Sequence, residues 1–335
     1  MLQTVIVAGG SSRPDRMGAS LKNYHTARSG IVLGNSRLLK PGRLGWLRSL
    51  GWMIGLFALV LLAVGPGMTV VRYVLPTGTP QLAFLSNITS GVIAVSVYAL
   101  LVRFGEDRQP HELEIKAAPA QLAVGLGLGA VMFGTVMAIL MAFDLYTIDW
   151  LGSAPAWRAG GRAIQAALIE ETLVRAILFR LLWRAFGPVP AFIVSAAVFG
   201  ASHIFNPGAN VVSVLCIALE AGIMLGALYA LTGRLWVSIG VHAAWNFTQG
   251  YVFGAAVSGG AVGPALAHSV ARPDASVLLT GGSFGPEASL PALLVCTSVG
   301  VGTLWLAWKR NRFNVATLPT IDGRAKSRAE PAVAL

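Results

Sequence analysis

The sequence predicts an all-α, polytopic transmembrane protein, a helix bundle of about eight spans. Only 12% of the 335 residues are charged, whereas 55% are hydrophobic, and the mean hydropathy is +0.68. A soluble chain carries about 25% charged residues. The apolar residues also form long unbroken blocks instead of the one-sided stripe of a soluble amphipathic helix. Blocks of ~20 apolar residues are the length that crosses the hydrocarbon core of a membrane.

The charge balance and the cysteines exclude several function classes. The net charge is +11, and in a membrane protein such an excess reflects cytoplasmic loops that face anionic lipid. The sequence therefore indicates the lipid bilayer as a partner and no nucleic acid. Both cysteines, Cys216 and Cys296, lie within apolar runs. They are interpreted as packing residues, so neither a disulfide nor redox chemistry is indicated.

The chain divides into a bundle and two basic flanking segments. Residues 1–48 are polar and basic and have no apolar run long enough for a signal peptide, so we expect a disordered cytoplasmic arm. Residues 49–308 form the predicted bundle, and residues 309–335 a basic, disordered cytoplasmic tail. The fifth and sixth spans are short and joined by FNPGAN, which allows one of them to be re-entrant or strongly tilted. The predicted spans are about 50–72, 82–103, 120–143, 163–185, 189–205, 210–231, 235–257 and 289–308.

Basic residues in alternate loops predict the orientation. Lys and Arg are concentrated before the first span, after the second and fourth, between the sixth and seventh, and after the eighth. The long segment 258–288 has only Arg272. The positive-inside rule then places both termini in the cytoplasm. We predict a multi-pass protein of a bacterial inner membrane.

Polar side chains inside three predicted spans are the main functional signal. An ionisable residue at membrane depth costs at least ~2–3 kcal/mol, so it is a functional-site hypothesis by default. Such residues are rare in this chain, and the candidates fall within one segment, 163–257. They are Glu170, Glu171 and Arg175 in the fourth span, His203 in the fifth, and His242 and Asn246 in the seventh.

Helical geometry separates the two adjacent glutamates. Glu171 and Arg175 are i,i+4 neighbours and can pair along one helix face, which makes this pair the element most suited to a structural role. Glu170 is rotated by about 100° from that face and is left without this partner. A buried carboxylate without a counter-charge is a candidate general base or acid.

The other candidates are also spaced for contact on a helix. His242 and Asn246 are i,i+4 neighbours, so the imidazole and the carboxamide point the same way. Phe199 has the same spacing to His203, and its side chain is expected to pack against the His203 ring. Each residue alone is equally consistent with a structural role, because membrane histidines often bind backbone carbonyls. Their occurrence together on three spans favours a shared site.

These residues form three motifs that resemble those of a known family. Their order and their placement on predicted spans resemble the signature motifs of the CPBP family of intramembrane proteases. That family includes type II CAAX prenyl endopeptidases and bacterial Abi-type and bacteriocin-immunity homologues. The resemblance covers about residues 160–250. Val174 and Ala176 differ from the aromatic residue and the glycine that often flank the family's arginine. The motifs are Glu170-Glu171-xxx-Arg175, Phe199-xxx-His203 and His242-xxx-Asn246.

The resemblance implies that a peptide bond is hydrolysed within the membrane, at a site inside the bundle. Glu170 would activate a water molecule with assistance from His203, and His242 and Asn246 would stabilise the oxyanion. The spacing of the last pair agrees, because an oxyanion hole needs two donors directed at one point. The implied substrate is a membrane-anchored peptide or protein, of CAAX prenylated type or another.

The resemblance leaves the cofactor open between zinc and none. The family is often called a metalloprotease family, with its Glu and His residues as proposed zinc ligands, here Glu170, His203 and His242. The sequence has no HExxH, the spacing that indicates zinc strongly. A metal-free, glutamate-dependent mechanism is the reading we favour.

Two other function classes are alternatives. A rhomboid-like serine protease would use Ser202 as nucleophile and His242 as base, but that reading leaves Glu170 without a role. A non-catalytic scaffold or a proton-coupled transporter could also use buried Glu, His and Arg. The absence of an internal sequence repeat counts against a transporter.

Overall fold

The computed structural model describes residues 30–75 and 78–313. The described residues are mainly helical and include one two-stranded sheet, in which β1 and β2 pair antiparallel with Tyr146 opposite Ala271. The elements are α1 Gly45–Val74, α2 Pro80–Gly105, α3 Ala118–Ala142, β1 Tyr146–Trp150, α4 Trp157–Glu171, α5 Arg180–Phe186, α6 Pro188–Ala201, α7 Val211–Ile217, α8 Met224–Thr232, α9 Trp236–Phe247, β2 Ala267–Ala271, α10 Val277–Thr280 and α11 Leu290–Lys309.

Three π-helical segments and four short 3₁₀-helices connect these elements. The first π-helical segment joins α4 to α5 and the second joins α7 to α8, so each pair forms one continuous helical stretch. The third extends α9. The π-helical segments are Thr172–Phe179, Ala218–Ile223 and Thr248–Val252, and the 3₁₀-helices are Arg37–Leu39, His111–Leu113, Ile115–Ala117 and Pro286–Ala288.

Every predicted span coincides with a helix, but the predicted count of about eight crossings is not confirmed. Among the described residues, five helical stretches are long and apolar enough to cross a membrane. The stretch 157–186, the helix α6 and the stretch 236–252 are not among them. The first of these carries the charged Glu170-Glu171-xxx-Arg175 motif. The five stretches are Gly45–Val74, Pro80–Gly105, His111–Ala142, Val211–Thr232 and Leu290–Lys309.

Local sequence signals set several helix ends. The Thr79 side chain accepts a hydrogen bond from the Leu82 backbone N–H at the start of α2. Asn210 and Ser213 form a reciprocal capping box that begins α7. At the end of α8, Gly233 adopts a φ of +68°, the left-handed conformation that favours glycine. These caps fix where the turns around the central helices begin.

Small residues allow close approach between the helices that hold the motifs. A Cβ at Gly125 or Gly129 of α3 would overlap the backbone carbonyl oxygens of Val237 and Val241 in α9. In the same way, a Cβ at Gly91 of α2 would collide with the Leu168 side chain of α4. α3 and α2 therefore support α9 and α4, the helices with the third and first motifs.

Residues 30–48, which the sequence assigned to a disordered arm, pack against the bundle. The Arg184 guanidinium donates hydrogen bonds to the backbone carbonyls of Gly34 and Leu39 and to the Ser49 hydroxyl. Leu39 is fully buried. The preceding part of that predicted arm lies outside the described residues, as does most of the predicted tail. At the start of the tail, Phe313 stacks on the Trp183 ring.

A buried ion-pair network lies at the end of α2. The Glu106 carboxylate, which is fully buried, accepts hydrogen bonds from Arg180 at 2.6 and 2.9 Å, from Arg108 at 2.6 Å and from the Trp52 indole at 2.9 Å. Burial opposes ionisation of Glu106, but the charges of Arg180 and Arg108 outweigh it and hold the pKa below its ordinary value. This network joins α1, α2 and α5.

Candidate active site

Glu171 joins the first and third motifs. Its fully buried carboxylate oxygen Oε1 accepts hydrogen bonds from Arg175 Nη1 and from His242 Nδ1, each at 2.9 Å. The predicted ion pair with Arg175 therefore forms, and the structure adds a link across helices to His242. Because an ionised carboxylate only accepts hydrogen bonds, the proton of His242 lies on Nδ1, and Nε2 is directed elsewhere.

Glu170 lies on the other side of the same imidazole. Its Oε2 is 3.8 Å from His242 Nε2, and the side chain is 35% exposed. Oε2 itself is buried and has no hydrogen-bond partner within the described part of the chain. As predicted, Glu170 does not share the Arg175 ion pair. His242 thus lies between two carboxylates. Glu171 orients its ring through a hydrogen bond, and Glu170 has an oxygen, Oε2, that no other described group binds.

His203 lies on the turn that follows α6. Its Nδ1 is 2.8 Å from the Phe199 carbonyl oxygen, which leaves Nε2 for other partners. The Phe199 ring packs edge-on against the His203 ring at 5.1 Å, as the i,i+4 spacing predicts. The Ser202 hydroxyl bonds to the Phe199 carbonyl and to His203 Nδ1. This arrangement lacks the Ser202–His242 pair that a rhomboid-like serine protease would need.

One cavity brings the second and third motifs together. His203, His242 and Asn246 all line it, and the buried Phe199 forms part of its wall. Glu170 adjoins it through the His242 ring. The structure therefore places His203, His242 and Asn246 on one cavity and Glu170 beside His242. The cavity offers two imidazoles and a carboxamide to a bound group, with the Glu170 carboxylate next to one of the imidazoles.

The comparisons with known proteins concern the same part of the chain. Residues 152–248 match the model of a family described as Rce1-like, Type II CAAX prenyl endopeptidase Rce1-like. The match confirms the predicted resemblance to the CPBP family over these residues. The Rce1-like family is a protease family, and the matched segment runs from just before α4 to the end of α9. No curated protein and no solved structure matches the chain.

Two acidic residues of the cavity were missed by the sequence reasoning. Glu220 and Glu287 line the same cavity as His203 and His242, and each is only 2% exposed. Glu220 lies within a predicted span, so the rule that found Glu170 should have found it as well. Glu287 precedes α11, outside the CPBP match, and no sequence signal distinguishes it.

The structure does not bring the predicted zinc ligands together as a three-ligand site. Over residues 30–75 and 78–313, no three His, Cys, Asp or Glu side chains converge so that they could hold a metal ion. His242 Nδ1 bonds to Glu171, and His203 Nδ1 to a backbone carbonyl, so each ring keeps Nε2 for other partners. The metal-free mechanism stays a prediction.

Proposed function

We propose that this protein is an intramembrane endopeptidase that hydrolyses a peptide bond in a membrane-anchored substrate, with Glu170 as the general base. The observation that carries the proposal is the placement of His242 between Glu171 and Glu170, beside a cavity shared with His203 and Asn246. The family match supports a peptidase, and its description makes CAAX-type prenylated peptides the first substrates to test.

In the proposed reaction, the Glu170 carboxylate accepts a proton from a water molecule, and the resulting hydroxide attacks the scissile carbonyl carbon. His203 orients that water through its free Nε2. The C–N bond of the tetrahedral intermediate then breaks, and Glu170 returns the proton to the leaving amine. Glu170 is suited to this exchange because Arg175 is held by Glu171 and does not neutralise it.

His242 and Asn246 stabilise the negative oxygen of the intermediate in this proposal. The Asn246 carboxamide supplies one N–H donor. His242 supplies the second from Nε2 when the ring carries both protons, and the Glu171 carboxylate would balance that charge. Loss of one oxyanion donor costs ~10²–10³ in kcat. The Glu171 carboxylate holds the ring in place from the opposite side.

The test is cleavage of membrane-anchored and CAAX-type peptides by the purified full chain. We expect Glu170→Gln and His203→Ala to lower kcat by about 100-fold or more, the range of general acid–base catalysis. Glu114→Gln is the matched control, because Glu114 pairs with Arg234 at the surface and lies outside the cavity. A strong zinc chelator should leave the rate unchanged. Full activity of both variants would overturn the assignment.

A further inference from the structure

The cavity beside the candidate active site has an acidic wall that the proposed hydrolysis does not use. Glu220 and Glu287 both line it, together with apolar side chains such as Met224 and Leu225. Glu220 is on the π-helical segment Ala218–Ile223, and Glu287 is on the 3₁₀-helix before α11. The two carboxylates therefore reach one cavity from separate parts of the chain.

Glu220 is buried without a hydrogen bond on one of its oxygens. The side chain is 2% exposed, and Oε1 has no hydrogen-bond partner in the described ranges of the chain. A buried polar atom without a partner costs free energy. Since the Glu220 side chain lines a cavity, a group bound there that donates an N–H to Oε1 would remove that cost.

Glu287 is equally buried, but its carboxyl group has hydrogen-bond partners. It accepts a hydrogen bond from the Ser258 backbone N–H. Burial raises the pKa of Glu287 to about 7, although hydrogen bonds from Ser258, Gln249 and Trp245 act in the opposite direction. A nearby positive charge would favour the ionised form of this carboxyl group.

Neither carboxylate has a counter-charge in the described structure. The ion pairs formed by the residues from 30 to 75 and from 78 to 313 do not include Glu220 or Glu287. Arg175, which lies on the same side of the bundle, is occupied by Glu171 and the Ala221 carbonyl. The side chains do not converge as metal ligands either. An organic cation with several N–H donors fits these two acids best.

We propose that Glu220 and Glu287 bind the positively charged side chain of a lysine or arginine in the substrate and thereby select peptides with a basic residue near the scissile bond. The choice of a substrate side chain as the ligand rests on the proposed function. A peptide held at His242 and Asn246 would present its neighbouring side chains to the wall formed by Glu220 and Glu287. The cavity has about 50 Å³ of free volume. At roughly 10–15 Å³ for each water-sized group, this is room for the charged end of one side chain and not for a whole ligand.

The charge preference of the cavity can be measured without any cleavage. Cys296 lines the same cavity and is a native reporter, whereas Cys216 is buried but not part of that wall. The full chain in detergent is treated with aminoethyl methanethiosulfonate, a cation, or with the neutral propyl reagent. Each forms a disulfide with the thiol and releases methanesulfinate. Mass spectrometry gives the rate at each cysteine, normalised to the rates with free mercaptoethanol.

We expect Cys296 to react with the cationic reagent about tenfold faster than with the neutral one after normalisation, because a cleft lined by one sign of charge concentrates counter-ions. Glu220→Gln and Glu287→Gln should each reduce that ratio toward one, and the surface control Glu114→Gln should not. A normalised ratio near one in the parent protein would overturn the proposal, as would a cavity that neither reagent enters. The parent ratio decides even if a variant fails to fold.

A second experiment tests the cation site separately from the proposed protease activity. Peptides with one lysine at successive positions are compared with the same peptides carrying norleucine, and the ratio of their kcat/KM values is measured. A preference for lysine that Glu220→Gln abolishes supports the site. Cation-selective labelling without cleavage of any peptide would refute the protease and keep the cation site, whereas cleavage without charge selectivity would refute only the site.

Discussion

Phe199 contacts residues from all three motifs: Arg175, His203 and His242. Its ring lies 4.6 Å from the Arg175 guanidinium carbon, 5.1 Å from the centre of the His203 ring and 6.3 Å from that of His242. It is 3% exposed. One aromatic ring thus packs against a structural cation and two imidazoles.

Replacement of Phe199 by leucine tests this positioning role. Phe199→Leu keeps an apolar side chain but removes the flat aromatic ring. The imidazoles of His203 and His242, which pack against that ring, can then shift. We expect kcat/KM to fall about tenfold or more, because small misplacements of catalytic groups are costly, with a smaller change in KM. The control is Phe205→Leu, since the Phe205 side chain is 94% exposed. Equal kinetics for the two variants would contradict the role.

At the residue scale, the sequence predicts contacts within a helix and misses those between helices. The pairs Glu171–Arg175 and Phe199–His203 follow from i,i+4 spacing, and both form. The bond between His242 and Glu171 joins residues 71 positions apart. Only the packing of α9 against α4 produces it, and no local pattern encodes that packing.

At the scale of elements, the contact between α3 and α9 positions the third motif. Gly129→Ala places a methyl group against the Val241 carbonyl, next to His242. We expect this overpacking to destabilise the protein by about 1–3 kcal/mol and to reduce cleavage by moving α9. Gly127→Ala on the same helix is the control, because a Cβ there meets no atom within 4 Å. Thermal unfolding and peptide cleavage measure both effects.

The three π-helical segments are elements that the sequence did not predict. One follows directly after Glu171, one contains Glu220, and one begins two residues after Asn246. A π-helical turn inserts an extra residue into the backbone hydrogen-bond ladder and often occurs at functional sites. Hydrophobic periodicity detects a helix but not this insertion, so the predicted spans were continuous.

For the whole molecule, the network around Glu106 joins three helices of the bundle. Glu106→Gln leaves Arg180 buried without its carboxylate, and the loss of one partner of a buried ion pair costs about 3–5 kcal/mol. Asp107→Asn is the matched control, because Asp107 and Arg37 form an exposed pair at 3.7 Å and such pairs contribute about 0–1 kcal/mol. The measurement is thermal unfolding in detergent, and similar midpoints for the two variants would contradict the expected difference.

The whole-molecule architecture was predictable in part. Long apolar blocks predicted every long helix, because length and composition suffice to recognise them. They did not show that residues 30–48 pack on the bundle, since that segment is polar and is held by Arg184 through backbone carbonyls. Nor did they separate the five stretches that are long and apolar enough to cross a membrane from the shorter or more charged helices of the described residues.

The short helix α6 has a consequence for the membrane around the protein. Its 14 residues rise about 21 Å, less than the ~30 Å of a typical hydrocarbon layer. His203, on the turn that follows, therefore sits at a height set by where α6 begins and not by the far lipid surface. Under the proposed function, bilayers of different thickness would present the same substrate bond at different heights relative to His203, which would make the acyl-chain length of the host lipid part of substrate selection.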